Sequence, residues 1–351
     1  MKVLKKVLKA FLILIIILAA GFAGLIIYAV ITDYKPGEKT AIEINDSPAP
    51  LNDSIVLSLM TWNIGYCGLD KAMDFFYDGG KKVFTPKDEV LKNLTAAMKL
   101  VKGNDTIDFI LLQEVDKKSK RSYQLDEFET ITGHARYASN SFAANYQVFF
   151  VPVPPSSPMG KVFSGIATLS RFIPSSSLRY SFPGKYGFPK QLFMLDRCFM
   201  VNRYPMKNGR ELILINTHNE AYDTGEIRKA QMEYFKNFVL AEYQNGNYII
   251  AGGDWNQSPP DFKPEFVKNM AKTDQMVIAS DYLPEGWKWI YDTKNPTNRS
   301  IDIPYDPSLT TTTVIDFFLV SPNVEAISAE CLNLDFEHSD HNPVRIKVKL
   351  Q

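Results

Sequence analysis

Twenty-two consecutive residues, Ala10 to Ile31 (AFLILIIILAAGFAGLIIYAVI), carry no charge, and this run restricts the chain more than any other feature. At 1.5 Å of rise per residue, a helix of that length crosses a hydrocarbon core about 30 Å thick. A helix buried in a soluble core would keep a polar face, which this run lacks, and a secretory signal core usually holds only about 7 to 15 apolar residues. The expectation is a transmembrane helix, with a cleaved signal peptide cut near Ala19 to Ala23 as the alternative. Lys2, Lys5, Lys6 and Lys9 precede the span, whereas Asp33, Lys35 and Glu38 follow it. By the positive-inside rule the N-terminus is cytoplasmic and the remainder extracytoplasmic.

The 351 residues hold 39 Lys and Arg against 39 Asp and Glu; without the four N-terminal lysines the balance is 35 to 39. A remainder of slight acidic excess lacks the basic field that holds nucleic-acid phosphates without regard to sequence. This weighs against a dedicated DNA-binding protein and leaves a nuclease open. Cys67, Cys198 and Cys331 are odd in number and widely separated. They suit buried hydrophobes rather than a disulfide framework or a zinc site. There is no G-x-S-x-G of the common serine hydrolases, and the DGGKK run at Asp78 to Lys82 lacks Walker-loop spacing.

Four segments follow from composition: a basic N-terminus (1–9), the span (10–31), a Pro- and Gly-containing linker expected to be a tether (32–54), and one domain (55–351). Inside the domain, apolar strand patterns are expected at 55–62, 107–112, 146–151, 162–169, 198–202, 211–216, 248–251, 314–320 and 344–350. Helices are expected after a Thr85-Pro86-Lys87-Asp88 capping box, running to Gly103, and from about Thr224 to Glu242. Many strands with few helices between them suggest stacked sheets with helices outside, an α/β fold.

Ligand-capable residues recur at the ends of these strands. Asn63 follows LSLMTW, Glu114 follows ILLQ, His218 follows ILINT, and Asp254 and Asn256 follow YIIAGG; Asp316 lies within TTTVIDFFLVS, and Asp340-His341 precedes the last strand. Any one of them alone would ordinarily be a cap or turn residue. Together they can converge on one edge of a sheet.

The motifs TWNIG (Thr61 to Gly65), LLQEVD (Leu111 to Asp116), SGIATLSR (Ser164 to Arg171), INTHN (Ile215 to Asn219), GGDWNQ (Gly252 to Gln257), VIDFFLVS (Val314 to Ser321) and HSDHNPV (His338 to Val344) occur in this order. In this the chain resembles the endonuclease/exonuclease/phosphatase superfamily, which includes deoxyribonuclease-I-like nucleases, neutral sphingomyelinases and inositol-polyphosphate 5-phosphatases. The resemblance implies a four-layered α/β sandwich, two stacked mixed β-sheets flanked by helices, here behind an N-terminal transmembrane helix. It also implies Mg²⁺ or Mn²⁺, with Glu114 as principal ligand and Asn63 and Asp340 near it. Asp254 matches the carboxylate that positions or deprotonates the attacking water, and Asn256 the amide that orients water or phosphate. His341 supported by Asp316, and His218, match imidazoles that contact phosphate oxygens.

Physical chemistry reaches compatible roles, because phosphoester hydrolysis needs an activated water and neutralised oxygens, and hard oxygen donors favour Mg²⁺ or Mn²⁺ over zinc. Arg121 and Arg197 are candidate substrate contacts, with a solvated surface as the plain alternative. Thr310 to Thr313 stand where abasic-site nucleases carry an aromatic-Arg pair, which disfavours a DNA-repair role. Expected substrates are phosphodiesters, nuclease-like on the outer side of the membrane. The alternatives are a phospholipid, as for a phospholipase C or sphingomyelinase, or a small phosphoester; a binding module without turnover ranks lower. Trp287 and Trp289 fit either a membrane-touching hairpin or ordinary packing, with packing preferred. The membrane is engaged through the N-terminal helix, and nothing in the sequence calls for an obligate protein partner.

Overall fold

The computed structural model describes residues 2–44, 46–223, 225–263 and 276–351. Its helices are α1 (Lys2–Thr32), α2 (Lys87–Gly103), α3 (Glu127–Thr132) and α4 (Glu226–Gln244). The strands are β1 (Lys39–Ile42), β2 (Val56–Asn63), β3 (Phe109–Asp116), β4 (Ser139–Val151), β5 (Gly160–Ser170), β6 (Ser176–Ser181), β7 (Cys198–Pro205), β8 (Glu211–His218), β9 (Tyr248–Asp254), β10 (Lys288–Ile290), β11 (Asn298–Arg299), β12 (Thr312–Thr313), β13 (Asp316–Val320), β14 (Val324–Cys331) and β15 (Val344–Leu350).

Alternation along the central strands builds the layers, since successive side chains point to opposite faces. Phe109 and Leu111 of β3 and Tyr248 and Ile250 of β9 point into a core shared by the two sheets. Ile110 and Leu112 point the other way, toward Val90, Leu94, Ala97 and Val101 of α2. Ile249 and Ala251 pack under Phe235 and Val239 of α4. The result is the expected four-layered sandwich. A six-stranded sheet runs in the order β14-β15-β2-β3-β5-β4 and a seven-stranded sheet in the order β1-β6-β7-β8-β9-β13-β10.

Parallel pairs sit in both sheets, β2 beside β3 and β8 beside β9. Their C-terminal ends, carrying Asn63, Glu114, His218 and Asp254, therefore emerge on one edge. A buried amide bridge holds the two edges level: Gln113 Nε2 donates to Asn216 Oδ1 at 2.8 Å, and Asn216 Nδ2 donates to the Ala167 carbonyl at 2.8 Å.

Several expectations change on folding. The linker is not a free tether, because Lys39–Ile42 pairs antiparallel with Ser177–Tyr180 at the margin of the larger sheet. The Thr85 capping box does not form: α2 starts without a side-chain cap, and the Thr85 hydroxyl donates to the Gly68 carbonyl at 2.6 Å. Strands β6 and β14 and helix α3 were not anticipated, their sequences lacking a clean apolar alternation. Thr224, the expected start of the long helix, lies outside the described residues, and α4 begins at Glu226. Trp289 packs on Trp255 and Phe317, and Trp287 on Tyr243, in agreement with ordinary packing rather than a membrane hairpin. The three cysteines are buried and free.

Removing the Asn216 amide strands a buried Gln113 N–H and takes the donor from the Ala167 carbonyl, a loss that costs about 2 to 3 kcal/mol. Urea denaturation of Asn216→Ala should show that destabilisation, and an unchanged midpoint would deny the bridge its role.

Candidate active site

Three neighbouring strands place a row of functional groups side by side. Asp254 is in register with His218 on one flank and Asp316 on the other. Gly252 and Gly253 allow this close packing: a Cβ on Gly252 would meet the Phe318 ring at 2.3 Å, and one on Gly253 would meet the Thr217 carbonyl oxygen at 2.0 Å.

Glu114 reaches the site by a bulge. The β3–β5 register shifts between Leu112 and Val115, and Glu114 adopts φ 52, a left-handed conformation costly for a residue with a side chain. Its carboxylate turns out of the sheet and stands 24% exposed in a region otherwise almost closed. Asn63, at the end of β2, donates from Nδ2 to Glu114 Oε1 at 3.2 Å and to Asp254 Oδ2 at 3.0 Å.

The loop before β15 is pinned to β2. Ser339 Oγ donates to the Asn63 carbonyl at 2.8 Å, and Trp62 Nε1 to the His341 carbonyl at 2.9 Å. His341 Nδ1 then meets Asp316 Oδ2 at 2.8 Å, while Nε2 lies 3.8 Å from Asp254 Oδ2 and 3.9 Å from Asp340 Oδ2. His218 Nε2 lies 3.5 Å from Asp254 Oδ2 and 4.0 Å from Glu114 Oε1.

The two imidazoles are electrostatic opposites. Burial opposes charge on His341, yet the carboxylates of Asp316, Asp340 and Asp254 hold its pKa well above the usual imidazole value. Burial, together with the positive charges of Arg197, His341 and Arg121, holds His218 well below it. The surroundings thus favour a protonated His341 held by Asp316 and a neutral His218, whose buried Nδ1 has no partner.

Two groups of ligand-capable side chains bear on a divalent cation. Ligand atoms of Asp254, Asp316 and His341 lie within 4.8 Å of one another, but the Asp316–His341 hydrogen bond already uses two of them. Glu114 and Asp340 form the other group: burial, and then the negative charge of Glu114 acting against the lowering effect of His341, push Asp340 up to about 7. Repelling carboxylates at a cavity wall fit a hard cation. Asn63, expected near the metal, shows a different arrangement, because its Oδ1 accepts from the Gly65 N–H at 2.9 Å and its NH₂ faces the carboxylates. As placed, it bridges Glu114 and Asp254 and does not present an oxygen ligand.

Asn256 lies on the cavity wall with φ 50; its N–H donates to Asp254 Oδ1 at 2.9 Å and its Nδ2 to the Asn219 carbonyl at 3.0 Å. Arg121, expected as a substrate contact, lines the cavity but is engaged within the protein. Its Nε and Nη2 grip Asp116 at 3.0 and 2.9 Å, and its guanidinium carbon lies 3.6 Å from the centre of the Tyr66 ring. Arg121 therefore sets the Tyr66 wall. Arg197 is different, since its Nε and Nη1 have no hydrogen-bond partner and Glu220 approaches only to 3.7 Å. His338, also in the HSDH segment, meets Asn93 of α2 and stands apart from the site. Asn298 was missed: its amide lies 3.0 Å from His341 Nε2, yet the surrounding PTNRS segment has no apolar pattern to flag it.

Glu114, Arg121, Arg197, His218, Asp254, Asn256, Asn298, Asp340 and His341 border a cavity of 1320 Å³, with Tyr66, Tyr77, Tyr146 and Tyr222 among its walls. The endonuclease/exonuclease/phosphatase family model matches residues 60–341. The chain belongs to this family. Its members are hydrolases of phosphoester bonds, and this chain is one of them. Among similar solved structures, an endonuclease/exonuclease/phosphatase from Bacteroides vulgatus is 16% identical, the match covering 85% of this chain and 100% of that one with a TM-score of 0.54. The 2′,3′-cyclic phosphatase ANGEL2, in complex with adenosine-2′,3′-vanadate, is 14% identical over 89% of this chain and 99% of its own, with a TM-score of 0.55. Truncated TDP2 from Caenorhabditis elegans is 14% identical over 84% of this chain and 98% of its own, with a TM-score of 0.51. These likenesses establish the fold. No curated protein sequence gives a significant match.

With only four histidines, the rings are resolvable by NMR. In metal-free protein the His341 ring should titrate above the ordinary imidazole range, and Asp316→Asn should bring its titration down toward that range. A His341 titration unaffected by Asp316→Asn would contradict the pairing.

Proposed function

We propose that this protein is a membrane-anchored, divalent-metal-dependent phosphodiesterase. The observation that carries the reading is the convergence of Glu114, Asp254, His218 and His341 within about 4 Å of their neighbours at the wall of an open cavity. That cavity is wide enough for a substituent on each side of a phosphorus atom, which supports diesters over monoesters.

Asp254 holds the attacking water and accepts its proton as the water oxygen bonds to phosphorus. Asn63 and the Asn256 N–H fix the Asp254 carboxylate for that task. His341, kept charged and oriented by Asp316, faces the negative charge that grows on the phosphoryl oxygens as the leaving oxygen departs. His218, uncharged, offers a hydrogen bond without adding a second buried cation. Glu114, oriented by the Asn63 amide, and Asp340 would hold the Mg²⁺ or Mn²⁺, which when bound supplies Lewis-acid stabilisation of the phosphate and leaving group. Arg197, a lining residue whose buried Nε and Nη1 have no partner within the protein, binds a substrate oxygen.

Helix α1 is long and apolar enough to cross a membrane. In this reading it anchors the enzyme with its N-terminus cytoplasmic and the catalytic domain extracytoplasmic.

Hydrolysis of plasmid DNA, RNA, bis(p-nitrophenyl) phosphate, sphingomyelin and inositol phosphates, with Mg²⁺ and then with EDTA, tests the proposal. Metal-dependent turnover should fall by about 10²-fold or more in each of Asp254→Ala, His341→Ala and Glu114→Ala, with the thermal midpoint nearly unchanged. Full rates in all three variants would refute these roles. Arg197→Ala should raise KM more than it lowers kcat, and a KM equal to wild type would remove Arg197 from the substrate contacts.

A further inference from the structure

The anchor and the catalytic cavity are closer together than a tethered domain requires. Between the end of α1 at Thr32 and the start of β1 at Lys39 lie only the six residues 33–38, which span at most about 20 Å. These residues are also fastened. Ser181 Oγ donates to the Gly37 carbonyl and the Ser181 N–H to the Glu38 carbonyl, each at 2.8 Å, and Tyr234 Oη donates to Glu38 Oε1 at 3.2 Å.

The helix itself touches the domain. Tyr28 packs its ring on Phe149 of β4 with centroids 4.6 Å apart, and Leu25, Tyr28, Ala29 and Thr32 line a narrow cleft with β4 residues 147–150 and Leu192. Twenty apolar residues counted from Ala10 reach Ala29, so hydrocarbon about 30 Å thick ends at the level of Tyr28. Tyrosine is at home at that depth, where its ring meets lipid and its hydroxyl meets water. Phe149 then stands at the same depth.

The next residues along this wall belong to the cavity. Val151, Pro152 and Val153 beyond Phe149, and Lys190, Phe193 and Met194 around Leu192, border the catalytic chamber. The rim between helix and chamber leaves large apolar side chains in the open: Phe149 is 53% exposed and Phe188, four residues before Leu192, is 65% exposed. Exposed aromatic groups beside a membrane span, at headgroup depth, suit the boundary of a lipid leaflet.

Resting on the membrane-anchored phosphodiesterase reading, we infer that this rim is a bilayer-docking surface, and that the cavity takes its phosphodiester from the leaflet that α1 enters. Of the substrates open from sequence, the geometry favours a lipid headgroup over a soluble nucleic acid. In its hydrolysis the water oxygen bonds to phosphorus, the ester bond to one alcohol breaks, and that alcohol leaves carrying a proton.

The test uses the full chain in phospholipid nanodiscs. Since the native cysteines are buried, a fluorophore attaches selectively at Phe188→Cys, or at Ile327→Cys on β14, the opposite margin of the six-stranded sheet. Spin-labelled lipid should quench the label at 188 at least threefold more than the label at 327; equal or absent quenching overturns the docking surface. Phe149→Asp combined with Phe188→Asp should leave bis(p-nitrophenyl) phosphate hydrolysis within twofold of wild type and lower headgroup release from the disc lipids at least tenfold. Quenching at 188 together with cleavage of DNA and no headgroup release would overturn the lipid assignment. Absence of bis(p-nitrophenyl) phosphate hydrolysis by wild type would instead sink the phosphodiesterase reading, leaving the quenching result to decide the docking surface by itself.

Discussion

The Gln113–Asn216 bridge is the contact on which the site's geometry rests. Two amides between packed sheets are costly unless paired, and they pair here only when β3 and β8 stand at one particular height. Slipping either strand by a residue would turn the amide to the other face and leave its partner unsatisfied. Glu114 follows Gln113 directly and His218 comes two residues after Asn216, so the polar contact that fixes the sheets also fixes the distance between these groups. Asn63 completes the arrangement across the gap by bonding Glu114 and Asp254 together.

Around this frame the protein keeps unlike charges in nearly identical burial. His218 and His341 are both enclosed, and both face Asp254. What separates them is company: His341 has three carboxylates near it, whereas His218 feels Arg197, Arg121 and the charged His341 itself. A division between a fixed cation and a neutral donor follows from placement alone. Arg121 shows the same economy, since the grip of Asp116 holds it against the Tyr66 ring while its charge still acts on His218.

Much of this was readable from the chain, for local reasons. Apolar runs such as IDFILL and YIIAGG signal buried strands, and a ligand-capable residue just beyond each must lie at a sheet edge. Segments with a shifting pattern, among them β1, β6 and β14, were silent, because a marginal strand is stabilised by its neighbour rather than by its own alternation. The linker looked like a tether for that reason, and its pairing with β6 is what brings α1 up against the domain.

The sequence by itself determined the membrane-length helix, the α/β character, the family and the ligand-capable residues at the strand ends, since each of these is written in a local run or an ordered set of motifs. Tertiary structure alone decided how they act. The bulge that aims Glu114, the amide face that Asn63 presents, the engagement of Arg121, the arrival of Asn298 beside His341 and the opposite charges of the two histidines all depend on contacts between distant segments. Trp62 and His341 are joined across 279 positions of chain, and no local pattern encodes a hydrogen bond of that reach. Charge state and direction are properties of surroundings, and surroundings exist only after the sheets have packed.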